Sequence, residues 1–462
     1  MEKNWEAMEA IFNPGSVAVI GASDNPGKLG SHVMRSLIEG RFPGRIYPVN
    51  PGRNEILGIK AYPSLFEVPD AVDLSIVVLP AEQVPKIIKE CQKKNVKGIV
   101  LITAGFKEIE DKRGESLQRE IMELANQSGI KIIGPNTFGI VNLHLPLNAS
   151  FTPEFSLVQK GGISFVSQSG GMSHLMAFLS LQDKVGFSKI VGLGNRCNVD
   201  FAEMVEFLTK DSQTSVIAMY IEGIDQPKRL MEVARKNNRG KPMLAYKVGR
   251  SSTSDKASQF HTGSLAGKHA IYEGALKQAG ILMVESSEDL LDAAKALTLC
   301  PLPKGNRVAV LSGQAGPGMA ACDICETEGL AVHPFSAETQ KRVEELLPPL
   351  AIRTNPVDMG PAWYDSEAIK GIVQTVLQDE NIDAIILCIM FASANRSAVG
   401  MLADLLLQKK INKPVLCCFS APAVIWDDEI KRLEESGIPN YPTPERAAKT
   451  LVNLFRFKKL RD

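Results

Sequence analysis

The chain has 462 residues, 52 Lys+Arg against 52 Asp+Glu, 37 glycines and 8 cysteines. At about 150 residues per domain this length fits about three domains with large buried cores. A net charge of zero excludes a protein that relies on a basic surface for nucleic acid or anionic lipid.

The N-terminal stretch Met1-Glu2-Lys3-Asn4-Trp5-Glu6 has no apolar run behind a basic cap, so no secretory signal is read there. Apolar stretches such as Ala384 to Ala392 fall short of the ~18–20 residues that span a bilayer. A cytoplasmic chain with reduced thiols is therefore expected. The basic tail Arg456-Phe457-Lys458-Lys459-Leu460-Arg461 reads as a solvated helix end. Cys322-Asp-Ile-Cys325 has no second pair at zinc spacing and reads as core, as do Cys417 and Cys418.

In chain order, Ser16–Gly21, Arg45–Asn50, Asp73–Leu79, Val96–Thr103 and Ile130–Ile133 read as buried parallel strands. Leu29–Glu39, Val84–Lys94 and Gly114–Gln127 read as the helices between them. Strand runs resume at Ile163–Ser167, Lys189–Leu193, Ser215–Glu222, Met243–Val248 and Ile281–Val284, then at Arg307–Leu311, Ala384–Met390 and Pro414–Phe419. This alternation predicts an α/β protein of three consecutive doubly wound parallel-sheet domains.

One device recurs: an apolar strand, a Gly/Ser-rich turn, then a helix. It opens at Val17, Ile163 and Val308, at intervals of one domain length. Domains are accordingly expected at 1–152, 153–303 and 304–462, the last boundary following the Pro301-Leu-Pro-Lys-Gly305 linker. At such joints the helix N-terminus presents unpaired N–H groups and the positive end of its dipole, which suits an anion.

The first joint, Gly21-Ala-Ser-Asp-Asn-Pro-Gly-Lys28-Leu-Gly30, is neither G-x-G-x-x-G nor a Walker A loop. The second strand ends in neutral Asn50 where an NAD site would want Asp or Glu. Gly21, Ser23 and Lys28 suit a phosphorylated ligand instead. Further contacts are expected at the strand ends Leu79-Pro80, Thr103-Ala-Gly105 and Gly134-Pro-Asn136-Thr137.

These elements, in this order, resemble the coenzyme A-binding domain of succinyl-CoA synthetase and of the nucleoside-diphosphate-forming acyl-CoA synthetases. The resemblance implies CoA contacts at Gly21, Ser23, Lys28, Asn50, Pro80, Thr103, Gly105 and Asn136. The family often has Cys after Gly-Pro-Asn, where this chain has Thr137.

Of six histidines, His32, His144, His174, His269 and His333 read as structural, and none forms a metal motif, so no metal site is expected. His261 differs, lying in the small-residue loop Ser258-Gln-Phe-His261-Thr-Gly-Ser-Leu-Ala-Gly267. A neutral imidazole is a competent phosphoryl acceptor when a carboxylate fixes its tautomer. Glu222, at the end of the strand Ser215–Ile221, is the candidate partner. Helix ends at Ser167-Gln-Ser169-Gly170-Gly171 and Ser312-Gly-Gln-Ala-Gly316-Pro-Gly318 are candidates to compensate the phosphoryl charge.

Tyr220-Ile-Glu222-Gly223 and the His261-Thr-Gly loop again resemble that family, and its ADP-forming acetyl/acyl-CoA synthetases in particular. Phe260 stands where the family has Ser before His. Gly313–Gly318 with Asp323, then Thr354-Asn-Pro-Val-Asp358, resemble its third domain. No stretch remains for an ATP-grasp module. The resemblance therefore implies an alpha subunit that binds CoA as substrate. A beta subunit would carry the ATP-grasp fold with Mg²⁺ and ADP/ATP, in an α2β2 heterotetramer. The implied reaction is acyl-CoA + ADP + phosphate to acid + CoA + ATP, through an acyl phosphate and a phosphohistidine. A non-catalytic CoA- or acyl-CoA-sensing module is the alternative.

Overall fold

The computed structural model describes residues 2–109, 111–237, 240–254, 269–408 and 411–462. They form two compact units, Met1–Ser287 and Glu288–Asp462.

In the first unit one sheet comprises β1 (Ser16–Ile20), β2 (Arg45–Val49), β5 (Leu74–Val77), β6 (Gly98–Leu101) and β7 (Lys131–Ile133), with a short hairpin of β3 (Glu55–Ile56) and β4 (Ile59–Lys60) beside it. Its order is β2-β1-β5-β6-β7, all parallel. Every residue of β1, β5 and β6 is buried, as expected of strands covered on both faces. Helix Val84–Lys93 buries Val84, Ile87, Ile88 and Cys91, one helical stripe. Helix Lys112–Ser128 starts where the Asp111 carboxylate accepts Arg113 N–H and stops at Gly129, whose φ of +72° suits glycine.

The second sheet comprises β8 (Gly139–Asn142), β9 (Leu147–Ser150), β10 (Lys160–Ser167), β11 (Phe187–Gly192), β12 (Val216–Ile221), β13 (Met243–Lys247) and β14 (Leu282–Val284), in the order β14-β13-β12-β10-β11-β8-β9. β8 runs antiparallel to β11, and β9 antiparallel to β8. These two strands escape a hydrophobic-pattern reading because they bury asparagines. Asn142 Nδ2 donates to Phe12 O at 2.8 Å, and Asn148 Nδ2 donates to Thr152 O at 3.0 Å. The chain thus joins the second sheet from Gly139 onward.

The second unit holds β15 (Arg307–Ser312), β16 (Ala331–Val332), β17 (Val357–Asp358), β18 (Ala384–Met390) and β19 (Val415–Ser420), parallel in the order β16-β15-β18-β19, with β17 on the end of β15. Arg307 ties the start of β15 to Asp383 with hydrogen bonds of 2.9 and 3.0 Å. The C-terminal helix Pro444–Arg461 buries Phe457, and Arg446 clasps Asp292 of helix Ser287–Leu299 at 2.7 and 2.6 Å. The basic tail is the last turns of this helix, where Lys459 lies 4.3 Å from the Phe455 ring centroid.

Cys325 is buried on helix Ala315–Thr327, and burial pushes its thiol up to about 12. Among the described residues no helix is long and apolar enough to cross a membrane.

Candidate functional site

The strand order of the first sheet reverses between β1 and β5, and open α/β sheets bind ligands outside the carboxyl ends of the strands at such a point. β1 ends in Gly21, at φ +92°, and the chain turns into helix Leu29–Glu39. At Gly30 a Cβ would lie 2.1 Å from Gly21 O, so the helix start rests directly on the turn. Gly30→Ala is expected to cost about 1–3 kcal/mol by overpacking and to weaken CoA binding, checked by urea unfolding and calorimetric titration.

Within the turn, buried Ser23 Oγ accepts Asn25 N–H at 3.1 Å and Asn25 Oδ1 accepts Gly27 N–H at 2.8 Å. Lys28 is the exposed N-cap of the helix and provides no side-chain cap, while its carbonyl accepts Ser31 N–H at 3.0 Å. Asn50 Nδ2 donates to Ala22 O at 2.8 Å, and its Oδ1 accepts Gly52 N–H at 2.8 Å. Its amide thereby fastens the turn. Arg53, paired with Asp24 at 3.5 Å on the same rim, is a cation that the strand-end reading passed over.

The neighbouring strand ends are laced together. Thr103 Oγ1 donates to Leu79 O at 2.7 Å, beside exposed Pro80. Gly105, at φ +107°, donates its N–H to the Glu108 carboxylate. Asn136, at φ +57°, donates its N–H to Thr103 O at 2.8 Å. Thr137 is buried and its hydroxyl donates to Gly192 O at 2.6 Å, so this departure from the family pattern holds the loop to the second sheet.

At the end of β10, Ser167 Oγ donates to Ser169 O at 2.9 Å and accepts Ser169 N–H at 3.1 Å. Ser169 caps helix Gly170–Gln182 by accepting Met172 N–H at 3.3 Å. Among the described residues, a Cβ on Gly170 or Gly171 would meet nothing closer than 3.8 Å. Their bareness is therefore not imposed by packing of the described residues.

Gln168 Oε1 accepts the N–H groups of Glu222 (2.6 Å) and Gly223 (3.0 Å), binding this turn to the end of β12. Ser167 pairs with Tyr220 in parallel register, so the turn after β10 and Glu222 both follow the carboxyl ends of adjacent central strands. Burial, then the nearby Glu222 charge, pushes the Tyr220 phenol upward. His261, with Phe260, Gly263 and Gly267, lies outside the described residues. His174 Nδ1 donates to Gly170 O (2.7 Å), its Nε2 hydrogen-bonds the Thr152 hydroxyl (2.8 Å), and the ring sits among Phe138, Phe155 and Phe178.

The second unit repeats the turn. Ser312 Oγ donates to Gln314 O and accepts Gln314 N–H at 3.4 Å, while the Gln314 amide brackets Met390 N–H (3.1 Å) and O (2.8 Å). Among the described residues nothing lies within 4 Å of a Cβ on Gly316, whereas one on Gly318 would press on Ser312 Cβ at 3.1 Å. Gly316 leaves room at the helix end, and Gly318 lets the helix approach its strand. Asn355 Oδ1 accepts Val310 N–H at 2.9 Å, and its Nδ2 donates to Val308 O at 2.7 Å, so it serves β15 as a strand neighbour would. Asp358 Oδ1 accepts Gly360 N–H at 2.9 Å, and Asp323 is exposed on helix Ala315–Thr327. Among the described residues no group of three or more His, Cys, Asp or Glu side chains could hold a metal ion.

A nucleotide-type turn without the NAD fingerprint, followed by a sheet whose capped helix start is tied through Gln168 to the backbone of a strand-end glutamate, fits the succinyl-CoA ligase class. Residues 15–142 match the CoA binding domain family, and residues 160–297 match the succinyl-CoA ligase like flavodoxin domain family. Over 448 residues the chain is 40% identical to the acetate–CoA ligase [ADP-forming] II subunit alpha of Pyrococcus furiosus, covering 96% of each. It is 36% identical to the I subunit alpha of that organism, covering 98% of each. The acetyl-coenzyme A synthetase 1 of Ca. Korarchaeum cryptofilum, solved with phosphate and ADP, superposes with a TM-score of 0.90 at 33% identity, over 99% of this chain and 98% of that one. The chain belongs to the ADP-forming acetate/acyl-CoA ligase family. The two Pyrococcus relatives are named as alpha subunits, which implies a separate partner subunit for them.

Proposed function

We propose that the chain is the alpha subunit of an ADP-forming acyl-CoA synthetase, with CoA held by the first sheet and phosphoryl transfer run at the edge of the second. The observation that carries this reading is the capped helix start at Gly170–Gly171, uncrowded among the described residues and joined through Gln168 to the Glu222–Gly223 backbone, in the same unit as the CoA-type turn. Its amides and dipole stabilise an anion by roughly 0.3–2 kcal/mol before hydrogen bonds are counted. Phosphate bound there attacks the thioester carbonyl; the C–S bond breaks, and the CoA thiolate leaves and takes up a proton. An imidazole nitrogen of His261 then attacks phosphorus, the carboxylate leaves, and Glu222 fixes the tautomer and balances the imidazolium charge.

The phosphoryl group passes next to ADP on a partner subunit of ATP-grasp type, in an α2β2 assembly within the cytoplasm. Magnesium is assigned to the nucleotide on that partner, since the described residues offer it no ligand cluster. The helix end at Gly316–Gly318 is a second phosphate-binding turn. The three segments expected at 1–152, 153–303 and 304–462 are adjusted, with Gly139–Ser150 assigned to the second sheet and helix Ser287–Leu299 to the last segment.

The test is incubation with acetyl-CoA and radiolabelled phosphate. The expected product is an acid-labile, base-stable label on the chain, and Glu222→Gln is expected to slow its formation by about 10²-fold or more. A label no greater than that on His261→Ala protein would sink the reading.

A further inference from the structure

Two adjacent buried residues in the turn after β11 join the proposed CoA loops to the Glu222 turn, and neither has a role in the steps above. Asn195 is 4% exposed and the Arg196 side chain 1%. The turn is pressed on the Gly134–Asn136 loop, because a Cβ on Gly194 would lie 2.2 Å from Pro135 O. Asn195 N–H donates to Pro135 O (2.8 Å) and Cys197 N–H to Gly134 O (2.9 Å), pairing the two loops. The Asn195 side chain accepts from Asn136 Nδ2 (3.3 Å) and donates to the Glu108 carboxylate, which in turn holds Gly105 N–H. Both CoA-side loops therefore end on one amide.

Arg196 projects the other way. Its Nη1 donates to Gly223 O at 2.7 Å, next to Glu222, and its Nη2 meets Asp225 Oδ1 at 3.0 Å, with Asp200 at 3.7 Å. Arg196 adopts φ +59°, a left-handed conformation uncommon for a residue with a Cβ, and this turns consecutive side chains to opposite sides of the loop.

We infer that Asn195-Arg196 is a positioning strut that sets the distance between the CoA-holding loops and the phosphoryl-transfer edge at Glu222. The inference rests on the site reading of the preceding subsection. A strut of this kind acts on the alignment of thioester and phosphate, where a displacement of about 1 Å costs about 10²-fold in rate.

The test measures kcat, KM and CoA affinity for Arg196→Gln, Arg196→Lys and Asn195→Ala in the complex with the partner subunit. Arg196→Gln is expected to lower kcat about 10²-fold with the CoA Kd held within about twofold, and Arg196→Lys to restore about tenfold of that loss. Asn195→Ala is expected to weaken CoA about tenfold as well as lowering kcat. Folded Arg196→Gln with wild-type kcat overturns the strut, and so does an Arg196→Lys whose kcat falls only in step with its melting temperature. Should Arg196→Gln not fold, Arg196→Lys carries the same comparison. Glu222→Gln, run in parallel, separates the two readings. Wild-type label formation by that variant overturns the site, whereas its loss beside an unaffected Arg196→Gln overturns the strut alone.

Discussion

On the proposed mechanism, His261→Ala protein combined with the partner subunit is expected to form ATP from acyl-CoA, phosphate and ADP at least about 10⁴-fold more slowly than wild type, because the substitution removes the proposed phosphoryl acceptor. CoA affinity stays within about twofold, since the turns that hold CoA lie on other elements. The magnitude follows from the kind of step removed. A helix end can stabilise a phosphoryl group but cannot accept one covalently, and the serine hydroxyls described beside it are already engaged. Ser167 Oγ is bound to Ser169 O, and Ser173 Oγ donates to the same carbonyl at 3.0 Å. Coupled assay of ATP formation, with CoA titration by calorimetry on the same sample, checks both halves. Full ATP formation by the variant would remove the phosphohistidine from the mechanism.

Lys189→Met destabilises the first unit by about 3–5 kcal/mol, the cost of breaking a buried ion pair from one side. Lys189 lies on β11 with a fully buried side chain, its ammonium 2.6 Å from Asp211 Oδ2. Asp211 also accepts from the Thr214 hydroxyl, which meets Ser164 Oγ at 2.7 Å on β10. Removing the lysine strands a carboxylate built into this network. Burial pushes the Asp211 carboxyl upward, but hydrogen bonds from Lys189 and Thr214 outweigh it and leave the group below its usual value. A carboxyl depressed in the folded state stabilises the fold above its unfolded pKa, about 3.9, and that stability is lost as pH falls through the folded value. Wild type is therefore expected to lose stability on acidification below about pH 4, and Lys189→Met to show a shallower acid limb. Lys189→Met/Asp211→Leu recovers much of the loss, because both charges leave together. Urea unfolding at several pH values, followed at the first-unit transition, measures all three. Equal acid limbs would show that the pair does not carry the effect.

Much of the fold was legible because both faces of the central strands are covered. β1, β5, β12 and β18 are near-continuous apolar runs, and such runs cannot be mistaken for solvated loops. β8 and β9 were not legible, since Asn142, Asn148 and Ser150 satisfy their polar groups inside the protein where a pattern reading expects water.

At the site, residue types were legible and directions were not. An Asn at a strand end reads the same whether its amide faces a ligand or, like Asn50, a neighbouring carbonyl. Glycines likewise read alike, yet Gly30 and Gly318 serve close packing while Gly170, Gly171 and Gly316 are uncrowded among the described residues. Asn195 and Arg196 belong to no motif or period. Only the approach of two loops distant in sequence brings them to notice.

The antiparallel pair β8–β9 also bears on how the molecule can be divided. A cut after residue 152 would carry these strands away with the first sheet and leave β11 as a naked edge, its ladder groups free to recruit another chain. A cut before Gly139 would keep the second sheet whole. It would also sever the Thr137 clamp on Gly192 and free the N-terminal helix Glu2–Phe12, whose Phe12 ring stacks 4.9 Å from Phe207. The first two layers are consequently one heritable piece, interchangeable between relatives only together.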